Sequence, residues 1–129
     1  MGCLVIEDSS NVRAVMCRLL ASCGCETEEA DGPAGAIGLL KDHPYDALFL
    51  DWDLPDFGAL DILREVNRLD ARPHVILCVT HNDPRELALA NAAGAKHILM
   101  KPYDEDMVAE VLASIGEETH IEQQQPKTA

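Results

Sequence analysis

Short, unbroken apolar runs alternate along this chain with longer stretches of spaced apolar positions. Cys3-Leu4-Val5-Ile6 is the first such run, and its β-rich content predicts strand one. Val12, Val15, Met16, Leu19 and Leu20 then recur at helical spacing, with Ser9 or Ser10 as cap and Gly24 as stop. Cys25 to Ala30 alternates in part and predicts strand two. Gly32-Pro33 opens a second helix with Ala36, Leu39 and Leu40 inward, and His43-Pro44 stops it. Ala47-Leu48-Phe49-Leu50 is apolar on both alternate faces, as in a strand covered by helices on both sides, and leads to Asp51. A loop with Pro55 and Gly58 precedes a helix from about Ala59 to Leu69, striped by Leu60, Leu63, Val66 and Leu69. His74 to Val79 predicts strand four. Asp83-Pro84 starts an Ala-rich helix with Leu87, Ala90 and Ala93, ended by Gly94. Its stripe is weak, so this helix is expected to be the most mobile. His97 to Met100 predicts strand five. Asp104 caps a last helix with Met107, Val108, Val111, Leu112 and Ile115 inward.

Strands and helices alternating five times predict an α/β fold. The expected architecture is a five-stranded parallel sheet in the flavodoxin-like order 2-1-3-4-5, with helices on both faces. One domain over residues 1–116 is expected, followed by a polar tail over 117–129 in which Gln123-Gln124-Gln125-Pro126 reads as solvated and disordered.

Composition narrows the function. The chain has 129 residues, enough for one full core, and 47% of them are hydrophobic. No apolar run is long enough to span a bilayer, and no basic leader precedes one, so a cytoplasmic protein is expected. Met1-Gly2-Cys3 begins like a myristoylation signal, but Ile6 stands where that signal wants Ser or Thr. A formal net charge of −13 argues against nucleic acid and anionic membrane as partners. The five cysteines are odd in number and lack metal-knuckle spacing, so they read as small buried hydrophobes or bystanders.

Chemistry gathers at the strand ends. Strand one ends in Glu7-Asp8, strand three in Asp51, strand four in Thr80 and strand five in Lys101. Each alone is an ordinary cap or surface charge. In the order 2-1-3-4-5 strands one and three are neighbours, so three carboxylates crowd at the point where open α/β sheets bind ligands. Oxygen-only donors in a wet site favour Mg²⁺. Thr80 and Lys101 supply a hydroxyl and an ammonium suited to a phosphoryl group.

The combination resembles the receiver domain of bacterial two-component response regulators, in the single-domain chemotaxis layout. The matching pieces are Leu4-Val5-Ile6-Glu7-Asp8-Ser9, Leu50-Asp51-Trp52-Asp53-Leu54-Pro55, Val79-Thr80, Ala93-Gly94-Ala95 and Lys101-Pro102-Tyr103. The resemblance implies that Asp51 is the phosphoacceptor, Asp8 a direct Mg²⁺ ligand and Glu7 a ligand through water. It implies that the Asp53 backbone carbonyl completes the metal shell, that Thr80 and Lys101 bind the phosphoryl group, and that Lys101-Pro102 is cis. It also implies a histidine kinase or phosphotransfer protein as donor and a downstream protein target. It implies no catalysis beyond the domain's own phosphorylation and dephosphorylation. A monomer or weak dimer is expected. Two positions depart from the pattern. Ile98 stands at the usual switch aromatic, and the glycine expected eight residues after the acceptor is Ala59, with Gly58 just before it.

Two rival readings remain. Asp51-Trp52-Asp53 resembles the Asp-x-Asp pair of haloacid-dehalogenase-type phosphatases, with Asp51 as nucleophile and Asp53 as acid/base. Those enzymes carry the pair on their first strand and a Thr or Val where Pro55 stands here. A flavodoxin-like binding module is the other rival, but acidic strand ends would repel a flavin phosphate.

Overall fold

A computed structural model describes residues 1–124, with side chains through residue 116. The elements follow in strict alternation: β1 (Gly2–Ile6), α1 (Ser10–Ser22), β2 (Glu26–Ala30), α2 (Pro33–Asp42), β3 (Ala47–Asp51), α3 (Gly58–Val66), β4 (His74–Val79), α4 (Pro84–Ala92), β5 (His97–Met100) and α5 (Glu105–Gln124). All strand pairs are parallel and the sheet order is β2-β1-β3-β4-β5, as the sequence predicts.

Period-two alternation sorts the strand residues into two cores. Leu4, Ile6, Leu48, Leu50, Val75, Leu77 and Val79 pack with Ala36, Leu40, Ile62, Leu63, Val66 and Ala90 of α2, α3 and α4. Cys3, Val5, Ala47, Phe49, Ile76, Cys78 and Leu99 pack with Met16, Leu20, Val108 and Ile115 of α1 and α5. Both faces of the central strands are thus covered, which is why their sequences read as unbroken apolar runs.

The helix ends use ordinary chemistry. Ser9, the first of the two predicted candidates, caps α1 by accepting from the Val12 amide. Asp83 caps α4 by accepting from the Arg85 amide. Gly24 and Gly94 lie at φ +83 and +108, where a side chain would be strained.

Several boundaries differ from the sequence reading, and strand one starts at Gly2 instead of Cys3. Strand two starts at Glu26 instead of Cys25. α3 starts at Gly58 and ends at Val66, and its most buried apolar residues are Ala59, Ile62, Leu63 and Val66. Leu60 lies off this i, i+3, i+4, i+7 face and Leu69 lies past the end of the helix, so both are only partly buried. The last helix continues past Gly116 to Gln124, into the stretch read as a polar tail. Extending a formed helix adds one hydrogen bond per residue, and Glu and Gln are good helix formers, so no apolar stripe is needed there. The remainder of the predicted tail, 125–129, lies outside the described residues.

A single 3₁₀ turn, Pro55–Phe57, joins β3 to α3. Asp56 and Phe57 inside it sit at φ 56 and 58, in the left-handed region. Each costs about 1–2 kcal/mol for a residue with a Cβ. The turn brings Gly58 against the start of α2, where an added Cβ would lie 2.7 Å from Pro33 Cγ. The glycine that the resemblance places eight residues after Asp51 is therefore met one residue earlier.

Candidate functional site

The alternation that builds the second core also builds the site. Glu7 continues the side of β1 that carries Cys3 and Val5, and Asp51 continues the side of β3 that carries Ala47 and Phe49. Lys101 stands two residues after Leu99 and follows the same face. All three therefore emerge at the carboxyl edge of the sheet, on the α1 and α5 side. Glu7 and Asp51 are 5% and 3% exposed, and no other charged residues are as buried among those described. Asp8 has the opposite parity and is exposed.

Lys101 reaches from β5 past β4 to the acids. Its Nζ donates to Glu7 Oε1 at 2.8 Å and to Asp51 Oδ1 at 3.0 Å. Cys78 is the register partner of both Asp51 and Leu99, so it lies in the path of that side chain. A small residue there leaves room for the lysine stem, a role the sequence reading did not assign. The Lys101-Pro102 peptide is cis. The Asp53 amide also donates to Asp51 Oδ1, at 3.0 Å.

The electrostatics follow from too many acids sharing one ammonium. Burial pushes the Glu7 carboxyl up to about 7; Asp51 and Asp8 add to the rise, while Lys101 and the Ser9 amide oppose it. Asp8 is held below the usual carboxylate range, chiefly by its hydrogen bond with Glu7. Burial works against the Lys101 ammonium, but its bonds to Glu7 and Asp51 outweigh this and raise its pKa. Glu7, Asp8 and Asp51 each offer a carboxylate oxygen, all within 4.8 Å of one another. The donor set is all oxygen and carries excess negative charge, which fits a hard divalent cation such as Mg²⁺.

Thr80 is at the same edge but is turned elsewhere. Its Oγ1 lies 2.9 Å from Asp53 Oδ2 and 2.7 Å from His81 Nδ1. A carboxylate only accepts, so the single hydroxyl proton goes to Asp53 and the His81 Nδ1–H donates to Thr80. The Asp53 side chain thus holds the hydroxyl that was expected to face the phosphoryl group. Its neighbour Trp52 points to the other face, packs against the first core, and donates Nε1 to Glu86 Oε2 of α4 at 3.3 Å. These two bonds tie the residues after Asp51 to Thr80 and to helix α4. No sequence signal marked His81 or Glu86, because both lie in exposed polar stretches. Ile98 is 45% exposed on β5.

The fold and these groups have counterparts among known proteins. The family described as response regulator receiver domain matches residues 3–113. The chain belongs to the response regulator receiver domain family. Its relatives include a receiver of similar size, the chemotaxis protein CheY of Pseudomonas aeruginosa. The two are 30% identical over 120 residues, covering 91% of this chain and 97% of that protein. The chemotaxis protein CheY of Bacillus subtilis is 28% identical over 110 residues, covering 84% and 92%. Among solved structures, the receiver domain of the sensor histidine kinase PA1611 from P. aeruginosa superposes with a TM-score of 0.80. It is 22% identical and covers 89% of this chain and 97% of its own; it carries a magnesium ion coordinated in the active-site cleft. Like other receivers, this domain is a signalling module. No helix among the described residues is long and apolar enough to cross a membrane.

Proposed function

We propose that this receiver takes a phosphoryl group onto Asp51 from the phosphohistidine of a histidine kinase or phosphotransfer protein. The observation that carries the reading is Lys101 Nζ bridging Glu7 and Asp51 inside a trio of carboxylates. In the transfer, a carboxylate oxygen of Asp51 bonds to phosphorus as the P–N bond breaks, giving an acyl phosphate and free imidazole. Asp8 would hold Mg²⁺ directly, Glu7 through water, and Asp51 and the Asp53 backbone carbonyl would complete the protein's share. The magnesium in the cleft of the PA1611 receiver supports a Mg²⁺ site here. Bound there, Mg²⁺ supplies positive charge that offsets the acids and the incoming phosphoryl oxygens.

The chain's own residues do the rest. Lys101 holds Asp51 in place and offers a point charge to a phosphoryl oxygen. Thr80 leaves Asp53 and donates its hydroxyl to the phosphoryl group. The phosphoryl group adds about −1.5 to −2 charges. That change biases the β4–α4 loop and α4 through Thr80 and through the Trp52–Glu86 bond, and so alters binding of a downstream protein. The setting is the cytoplasm, and the domain's only catalysis is its own phosphorylation and dephosphorylation. The match of residues 3–113 to the receiver family supports this reading over the haloacid-dehalogenase one.

Acetyl phosphate with Mg²⁺ tests the assignment by mass spectrometry. One phosphoryl group should add to the parent and none to Asp51→Asn, while Asp53→Asn still labels. Equal labelling of Asp51→Asn would remove Asp51 from the role.

A further inference from the structure

We propose that Arg13 is a positioning residue for the acidic site, its guanidinium fixing the turn that carries Glu7 and Asp8. The inference rests on the receiver reading above. The last ladder bond between β1 and β2 runs from the Glu7 amide to the Ala30 carbonyl, at 3.1 Å. The Glu7 carbonyl lies beyond that ladder and needs another partner. Arg13, one turn into α1, donates Nη1 to it at 2.7 Å. The same guanidinium donates Nε to Glu29 Oε1 of β2 at 3.0 Å. Both bonds are charge-assisted, and the planar fork holds them in one fixed relation. Ser9 closes the turn from the other side. Its amide donates to Glu7 Oε2 at 3.1 Å, its hydroxyl caps Val12, and its carbonyl accepts from the Arg13 amide at 2.9 Å. The turn so fixed sends the Glu7 side chain inward and the Asp8 side chain outward, although they are adjacent.

Position and charge make opposite forecasts. A cation this close to the acids opposes a second cation, so loss of Arg13 as a mere charge should tighten Mg²⁺ binding. Loss of a positioning group should weaken it, as removal of outer supporting residues does at metal sites. Arg13→Gln and Arg13→Lys are to be titrated with Mg²⁺ by Trp52 emission. Arg13→Gln should raise the dissociation constant about tenfold. Arg13→Lys should also bind more weakly than the parent, because one ammonium cannot reproduce the two-ended fork. Tighter binding by the Gln variant, or parent-like binding by the Lys variant, would overturn the proposal.

Amide hydrogen exchange in EDTA supplies a readout that needs no metal. The Ser9 amide should exchange faster in Arg13→Gln, with Leu4–Ile6 unchanged. An unchanged Ser9 rate, or loosening of the whole of β1, would also overturn it. If the parent itself ignored Mg²⁺, the metal assignment would fail, and Ser9 exchange would still decide the role of Arg13.

Discussion

Glutamine at position 7 removes a buried charge while keeping the shape of the side chain. In the metal-free protein the Glu7 carboxyl is pushed from 4.5 up to about 7 by burial, with Asp51 and Asp8 adding to the rise. The folded state therefore keeps a proton that the unfolded chain releases near 4.5. Between those values the native state binds more protons, so stability falls as pH rises, and the loss is complete above about pH 7. A gap of about 2.5 pH units, at about 1.36 kcal/mol each, sets a ceiling of about 3 kcal/mol. Lys101 bonds the same carboxylate and the site opens to water, so about 1–2 kcal/mol is expected. Glu7→Gln stays neutral at every pH. It should match the parent near pH 5 and exceed it by about 1–2 kcal/mol at pH 8 in EDTA. Lys101 is not stranded by the change, because Asp51 remains 3.0 Å away. Urea unfolding followed by Trp52 emission measures the difference at both pH values. Saturating Mg²⁺ should then reverse the order, since metal at a hundredfold excess over its dissociation constant adds about 2.7 kcal/mol to a folded state that binds it. A Gln variant no more stable than the parent at pH 8 in EDTA would refute the argument. So would the same difference at both pH values.

Lys101→Ala should keep or slightly raise Mg²⁺ affinity, because a competing cation is removed, while uncoupling phosphorylation from the conformational response; Trp52 titration and amide chemical shifts measure the two parts. A large loss of metal affinity would contradict the observed place of Lys101 beside the acids. Gly58→Ala should destabilise by about 1–3 kcal/mol in urea unfolding, since its Cβ would press on the rigid Pro33 ring 2.7 Å away. On phosphorylation, backbone shift changes should concentrate between Thr80 and Gly94 and shrink in Glu86→Ala, which loses the bond to Trp52. Changes centred on Ile98 with α4 silent would defeat that route, and Ile98 has neither an aromatic ring nor a polar tip to drive it. Mg²⁺ should raise the melting temperature of the parent along the same saturation curve as the change in Trp52 emission, and Asp8→Ala should flatten both.

Much of this protein is a local property of its chain. Runs such as Cys3–Ile6 and Ala47–Leu50, set between helical stripes, marked the five-fold alternation, and the sheet order was expected from the flavodoxin-like arrangement. The residues that end the strands named Glu7, Asp8, Asp51, Thr80 and Lys101 as the chemistry. Periodicity is carried by neighbours in sequence, so it can be read without coordinates. Partnerships are not. Strands covered on both faces show no alternation, so nothing in Cys3–Ile6 said whether Glu7 or Asp8 would turn into the core. Several acceptors lay within reach of Thr80, and only packing gave its proton to Asp53. Arg13 lies outside the apolar stripe of its helix and carried no sequence signal, yet it meets Glu7 and Glu29 because β1, β2 and α1 converge. The glycine pressed on Pro33 proved to be Gly58, since a left-handed turn at Asp56 and Phe57 brought α3 in early. A side chain chooses among all the groups it can reach, and that choice depends on parts of the chain far away in sequence.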